Sequence, residues 1–234
     1  ISHELRSPLN AILGYAQLLE KNHALDSNTR RSITIIKRSG DYLSDLIEGL
    51  LEISKIEAGR LNIVRREVRF PQLLSQIVDM FEPQIKGKNI DFSYDFDDRI
   101  PEFVFADEKR IRQVLINLLS NAIKYTEEGS VSFSVKYQSE IATFRISDTG
   151  RGITDKDIGN IFKPFVRINT DKLPYVSGTG LGLTITKLLV DIMGGEIIVS
   201  SQFGEGSDFI VSLMLSRVTN PHIGSVETKS ICGY

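Results

Sequence analysis

Two long apolar stripes run through residues 1–60, and the helices that carry them cannot bury them alone. Leu5, Leu9, Ile12, Ala16 and Leu19 recur at steps of four and three, which places them on one face of a helix. Ile36, Leu43, Leu46 or Ile47, Leu50 and Ile53 repeat the pattern in a second helix expected from about Asn28 to Ala58 and ended by Gly59. The polar stretch Asn22–Ser27 reads as the loop between them, with Asp26, Ser27 or Asn28 as the cap of the second helix. Pro8 removes one backbone donor from the first helix and predicts a kink just after His3. Two such hairpins paired as a homodimer make a four-helix bundle that covers both stripes. The competing arrangement is a monomeric hairpin packed on the domain that follows.

Residues 61–216 read differently. A strand-like alternation spans Leu61–Phe70, a helix Pro71–Lys86 and a strand Asp91–Phe96. An amphipathic helix follows over Asp107–Lys124, and a turn is expected at Glu128-Gly129. Strands Val131–Tyr137 and Ile141–Ser147, a helix Leu181–Met193 and a closing hairpin of Glu196–Ser200 with Ser207–Leu215 complete the series. Helices with mostly antiparallel strands predict a two-layer α/β sandwich, so the chain is α+β overall. Residues 217–234 are polar, lack a period and read as a linker tail.

Charge narrows the function. The 28 Lys and Arg against 30 Asp and Glu leave no basic footprint for nucleic acid. The lone cysteine, Cys232, rules out an internal disulfide and fits a reducing, cytoplasmic setting. No apolar run reaches the length of a membrane span. Without an initiator Met the chain reads as part of a longer protein, with any sensor or membrane anchor in segments absent here.

Four places suggest chemistry. His3 is followed by Glu4, and Ser7 stands one turn further along the same helix face. A neutral imidazole is available near neutral pH, and a carboxylate at its flank can take a proton while the other ring nitrogen attacks. Asn117, Asn121 and Lys124 share a helix face, a set suited to magnesium and phosphates. On spacing alone a solvated face opposite a core is the simpler reading. Asp148-Thr149-Gly150-Arg151-Gly152 follows a strand. Its carboxylate can accept from a base amine, although the same letters also make a plain turn. Gly178-Thr179-Gly180-Leu181-Gly182 opens a helix, where backbone amides favour phosphate, yet it is neither a Walker A nor a Rossmann sequence. The stretch Phe162–Ser177 between these glycine groups reads as a lid.

These residues, in this order, resemble the catalytic core of sensor histidine kinases of two-component systems. Ser2-His3-Glu4-Leu5-Arg6-Ser7-Pro8-Leu9 is similar to their phosphoacceptor box, and Asn117–Tyr125 to their asparagine box. Asp148-x-Gly150-x-Gly152 and Gly178-x-Gly180-x-Gly182 resemble the two glycine boxes, and Ile161–Phe165 the phenylalanine box. The resemblance implies a dimerisation and phosphotransfer hairpin (1–60) and a Bergerat-type ATP-binding domain (61–216). It implies ATP and Mg²⁺ as ligands and a response-regulator receiver as partner. His3 would be the phosphorylated residue and Glu4 its base. Asn117 and Asn121 would hold the metal, Lys124 the phosphates, and Tyr125 would line the pocket. Asp148 would bind adenine with Ser207 nearby. Gly150, Gly152, Gly178, Gly180, Leu181 and Gly182 would shape the pocket and lid hinge.

Ser7 departs from the Thr or Asn that many relatives carry, which bears on phosphatase activity. Lys163 stands where an acid is usual. The wider superfamily's ATPases place a water-activating Glu where this chain has Asn117. The tail is similar to linkers that precede receivers in hybrid kinases. The alternative function is a phosphatase-dominant or degenerate kinase serving as a dimeric scaffold.

Overall fold

The structure is a computed structural model describing residues 2–20, 25–167 and 178–219, with side chains from Ser7 onward. Helices α1 (Ser2–Glu20) and α2 (Ser27–Glu57) form the hairpin. Asp26 is the cap: its Oδ1 accepts from the backbone N–H of Asn28 at 2.8 Å and of Thr29 at 2.9 Å. The helices close on each other at Gly40, where a Cβ would lie 2.6 Å from Leu13 Cδ2, and Lys37 pairs with Glu20 at 2.8 Å. Pro8 sits inside α1 without interrupting the helix. Of the loop expected at Asn22–Ser27, residues 22–24 lie outside the described residues, and Ser27 already belongs to α2.

The apolar stripes divide on folding. Leu9, Ala16 and Ile33 are buried in the hairpin, whereas Ile12, Leu19, Ile36, Leu43 and Leu50 stay exposed. The hairpin's outward ridge thus has no cover among the described residues.

The α/β unit begins with β1 (Arg66–Arg69), α3 (Phe70–Lys86), β2 (Asn89–Phe96), β3 (Phe103–Ala106) and α4 (Glu108–Tyr125). It continues with β4 (Glu128–Gln138), β5 (Ile141–Asp148), the single turn α5 (Asp155–Ile158) and α6 (Gly182–Ile192). It ends with β6 (Glu196–Gln202), β7 (Gly206–Met214) and β8 (Ser216–Arg217). Five strands pair in the order β2-β4-β5-β7-β6, antiparallel except for the parallel pair β2–β4. A small antiparallel sheet, β1-β3-β8, borders it. Alternate residues Val131, Phe133, Val135 and Tyr137 of β4 are buried, as strand periodicity requires. They meet the apolar face of α4, Leu115, Leu118 and Leu119, in one core with Phe70, Phe81 and Phe144. Phe70 meets Phe144 edge-on with centroids 6.0 Å apart. The two-layer α/β sandwich expected from the sequence is present.

Three local expectations need correction. Glu128-Gly129 does not turn the chain but starts β4, paired with Asn89 and Ile90 of β2. Gly129 has φ +115, so a turn-forming residue is used here inside a ladder. Only residues 66–69 of Leu61–Phe70 are a strand. Val64 instead donates its N–H to Asp107 Oδ2 at 2.8 Å, which fastens the inter-domain segment to the start of α4. Phe103–Ala106 is a strand that the sequence reading passed over, because four residues between Pro101 and the α4 cap show little periodicity.

The boundaries at 60 and 216 are soft in space. Ile56 of α2 belongs to the core of the α/β unit, and Arg217 pairs with Val104. Among the described residues no helix is long and apolar enough to cross a membrane.

Candidate functional site

One cavity of about 410 Å³ lies between α4, α6 and the β5 end of the sheet. It gathers Asn117, Asn121, Lys124, Tyr125, Asp148, Gly152, Gly178, Gly180, Gly182 and Ser207, residues separated by up to ninety positions in sequence.

Helix α4 supplies the polar side. Its buried face (Leu115, Leu118, Leu119, Ala122) fixes its rotation, so Asn117, Asn121 and Lys124 point into the cavity. Asn117 Nδ2 donates to Thr186 Oγ1 of α6 at 2.8 Å. Its Oδ1 is then turned toward Gly182, where a Cβ would stand 2.4 Å away. Asn117 therefore offers an oriented acceptor, and any side chain at 182 would collide with it. Lys124 Nζ lies against Gly178, where a Cβ would come within 2.8 Å of the ammonium. The Tyr125 ring carries two cations, Lys124 Nζ at 4.9 Å and the Arg151 guanidinium at 4.5 Å from its centroid.

Asp148 closes the far end. Its Oδ1 accepts from the Gly150 N–H at 2.9 Å. Burial pushes its pKa above the ordinary carboxylate value, against the lowering effect of backbone N–H groups from Gly150 and Ser207. The chain then leaves β5 in close contact with the β6–β7 turn. Gly152, at φ +64, lies where a Cβ would be 2.0 Å from the Gln202 carbonyl oxygen. Ser201 Oγ donates to the Gly206 carbonyl at 2.7 Å and accepts from the Ile153 N–H at 2.8 Å. Two backbones thus cross at van der Waals distance and hold Asp148 and Ser207 side by side.

Two of the expected pocket residues do not line the cavity. Gly150 backs onto the Tyr125 carbonyl, 2.5 Å from where its Cβ would be. Leu181 is buried and turned the other way, toward Gly49 of α2. His3 and Glu4 fall within α1, but their side chains lie outside the described residues, and Ser7 is exposed. Of the expected lid, residues 168–177 are outside the described residues, as are 220–234 with Cys232. Phe165, in the described first part of that stretch, has φ +64 and donates its N–H to Gly180 O at 3.0 Å. Lys163 is exposed and has no evident role in the cavity.

Sequence reasoning missed Thr186, Arg151 and Asp45. Thr186 had a signal, a hydroxyl at a buried position of an apolar helix. Arg151 had a weaker one, a cation between two glycines. Asp45, on α2, reaches the cavity only through tertiary packing.

The acceptor set suits a hard divalent cation shared with phosphates. Among the described residues no three His, Cys, Asp or Glu side chains converge to hold a metal alone.

Residues 1–59 match the family model "His Kinase A (phospho-acceptor) domain". Residues 106–217 match "Histidine kinase-, DNA gyrase B-, and HSP90-like ATPase". The chain is 38% identical over 214 residues to hybrid signal transduction histidine kinase B of Dictyostelium discoideum, covering 89% of this chain and 11% of that protein. It spans less than a third of the length of the curated relatives it matches. Full-length ShkA, solved in complex with AMPPNP, superposes with a TM-score of 0.79 at 32% identity over 94% of this chain and 46% of that one. The catalytic domain of histidine kinase ThkA matches at 31% identity and a TM-score of 0.56, over 64% of this chain and 95% of the domain. ThkA in complex with response regulator protein TrrA matches at 29% identity with a TM-score of 0.65, over 90% of this chain and 58% of that one. With a phosphoacceptor hairpin leading into an ATPase-like domain, the chain belongs to the sensor histidine kinases.

Proposed function

We propose that this chain transfers the γ-phosphoryl group of ATP to His3 and passes it on to an aspartate of a response-regulator receiver. The observation that carries the reading is the convergence of Asn117, Asn121, Lys124, Asp148 and the glycines of 178–182 on one cavity. The AMPPNP complex of ShkA and the response-regulator complex of ThkA support the ligand and the partner by likeness.

In this reading ionised Asp148 accepts from the adenine amine, with Ser207 beside it, and Tyr125 lines the base pocket. Gly152 lets the backbone pass close to the nucleotide, while Gly150 and Leu181 support the walls from behind. Gly178, Gly180 and Gly182 carry the polyphosphate past the start of α6, with Lys124 beside it. Asn117 and Asn121 present amide oxygens for magnesium, which would screen charge on the β- and γ-phosphates. A His3 ring nitrogen forms a bond to Pγ as the bond to the β–γ bridging oxygen breaks and ADP leaves. The proton on the other ring nitrogen passes to Glu4. Catalysis is then mainly positioning. Ser7, one turn from His3, would orient water for hydrolytic dephosphorylation.

The exposed ridge of Ile12, Leu19, Ile36, Leu43 and Leu50 supports a homodimer through the hairpin, as does the phosphoacceptor family match. In this reading the active core works in the cytoplasm.

The metal assignment is tested by calorimetry with AMPPNP, with and without magnesium. Asn117→Ala is expected to lose about tenfold of the magnesium-dependent affinity, one oriented ligand's worth, while binding without magnesium changes less than about twofold. Undiminished magnesium dependence would remove Asn117 from the metal site.

A further inference from the structure

Among the described residues, Asp45 is the one cavity-lining residue that comes from the hairpin. It shares a face of α2 with Gly49, Glu52 and Ile56, at steps of four, three and four. That face is docked on the α/β unit. The Glu52 carboxylate accepts from Arg110 Nη1 at 2.6 Å and from Gln113 Nε2 at 2.7 Å, both on the first turns of α4. Arg110 Nη1 also donates to Gln113 Oε1 at 2.9 Å, and the ion pair is largely shielded from water. One turn earlier, Gly49 makes room for Leu181, the residue between Gly180 and Gly182. A Cβ at 49 would lie 2.8 Å from Leu181 Cδ1 and 3.5 Å from Ile185 Cδ1. Asp45, one turn beyond that contact, therefore enters the cavity at the end where α6 begins. That is where Gly178, Gly182 and Asn117 would meet polyphosphate.

We propose that α2 is a nucleotide-sensitive wall of the site: the Gly49–Glu52 strip holds the hairpin against the catalytic domain, and Asp45 there opposes the polyphosphate. The proposal rests on the ATP-binding reading above. A carboxylate facing phosphates raises the free energy of the state that is both docked and nucleotide-bound. By linkage, nucleotide weakens docking by the same factor that docking weakens nucleotide. Asp41 and Glu48 lie on the same stretch of helix. Together with burial, which acts most strongly, they hold Asp45's pKa above its ordinary value. The hairpin is thereby released from this contact when the site fills.

The test is equilibrium binding of AMPPNP to the full chain without magnesium, at low and high salt. Asp45→Asn is expected to bind about three- to tenfold more tightly at low salt, the size of one partly screened charge near a polyanion, with the gain shrinking as salt rises. Glu52→Gln, which loosens the dock, is expected to tighten binding as well. Adding Asp45→Asn to it should then gain less than about twofold, since the pair acts through one contact. Unchanged or weaker binding by Asp45→Asn overturns the proposal. So does full additivity of the two substitutions, because Asp45 would then act independently of the dock. A wild-type chain that binds no AMPPNP with or without magnesium would instead overturn the nucleotide reading itself.

Discussion

Asp148→Asn is expected to lower ATP affinity by roughly ten- to a hundredfold, the loss of a charge-assisted hydrogen bond worth about 1.5–3 kcal/mol. The side chain is partly buried and its Oδ1 already accepts from Gly150. The substitution keeps the shape but turns an acceptor-only group into one that also presents an amide N–H to the adenine amine. The pH dependence has a definite sign. Burial, the largest influence, raises the pKa of Asp148 in the folded chain above the ordinary 3.8. The native carboxyl therefore takes up its proton at a higher pH than the unfolded one. Its ionised form costs stability above that window, and the cost is relieved as pH falls through the raised pKa. Nucleotide binding runs the other way, because it needs the ionised form. Affinity should fall as pH drops toward the raised pKa, and this component should vanish in Asp148→Asn. Calorimetric titration from neutral to mildly acidic pH reads both effects. Equal affinities for wild type and variant would remove Asp148 from the base site.

Gly206→Ala should destabilise the α/β unit by about 3 kcal/mol or more, the range for a backbone clash compounded by strain. Gly206 has φ +121, and a Cβ there would lie 1.9 Å from the Asp148 carbonyl oxygen and 2.9 Å from Thr149 Cα. Both strands are held by ladder bonds, Asp148 opposite Ser207, so neither can retreat without breaking register. A urea midpoint lowered in proportion, with nucleotide binding lost alongside, is the expected result. An unchanged midpoint would show that the β6–β7 turn does not brace Asp148 from behind.

These effects sit at places where the sequence was unevenly legible. The glycine groups around Asp148 and Gly178 were readable because positive φ and close backbone approach demand a residue without a Cβ. Gly152 and Gly180 show both. The α4 face was readable because its apolar partners leave only one direction for Asn117, Asn121 and Lys124. Periodicity was less informative where strands are short or carry glycine. Phe103–Ala106 is four apolar residues with no polar alternation to read, and Gly129 looks like a turn while pairing in parallel with β2. The stripes of residues 1–60 predicted two helices, but not which ridge would be buried between them. Sequence also gave no warning that α2 has a third face. Asp45, Gly49 and Glu52 read as ordinary surface positions until Leu181, Arg110 and Gln113 are brought against them by folding.

The central claim is that this cavity holds ATP in order to phosphorylate His3. It is tested most directly by incubating the chain and its His3→Gln variant with γ-labelled ATP and magnesium. The account predicts label on the wild type that is labile to acid, stable to alkali and absent from the variant, while both bind AMPPNP equally. Label persisting on His3→Gln would contradict the assignment of the phosphoacceptor. A wild type that binds nucleotide yet takes up no label would contradict the claim that this core is active as a kinase.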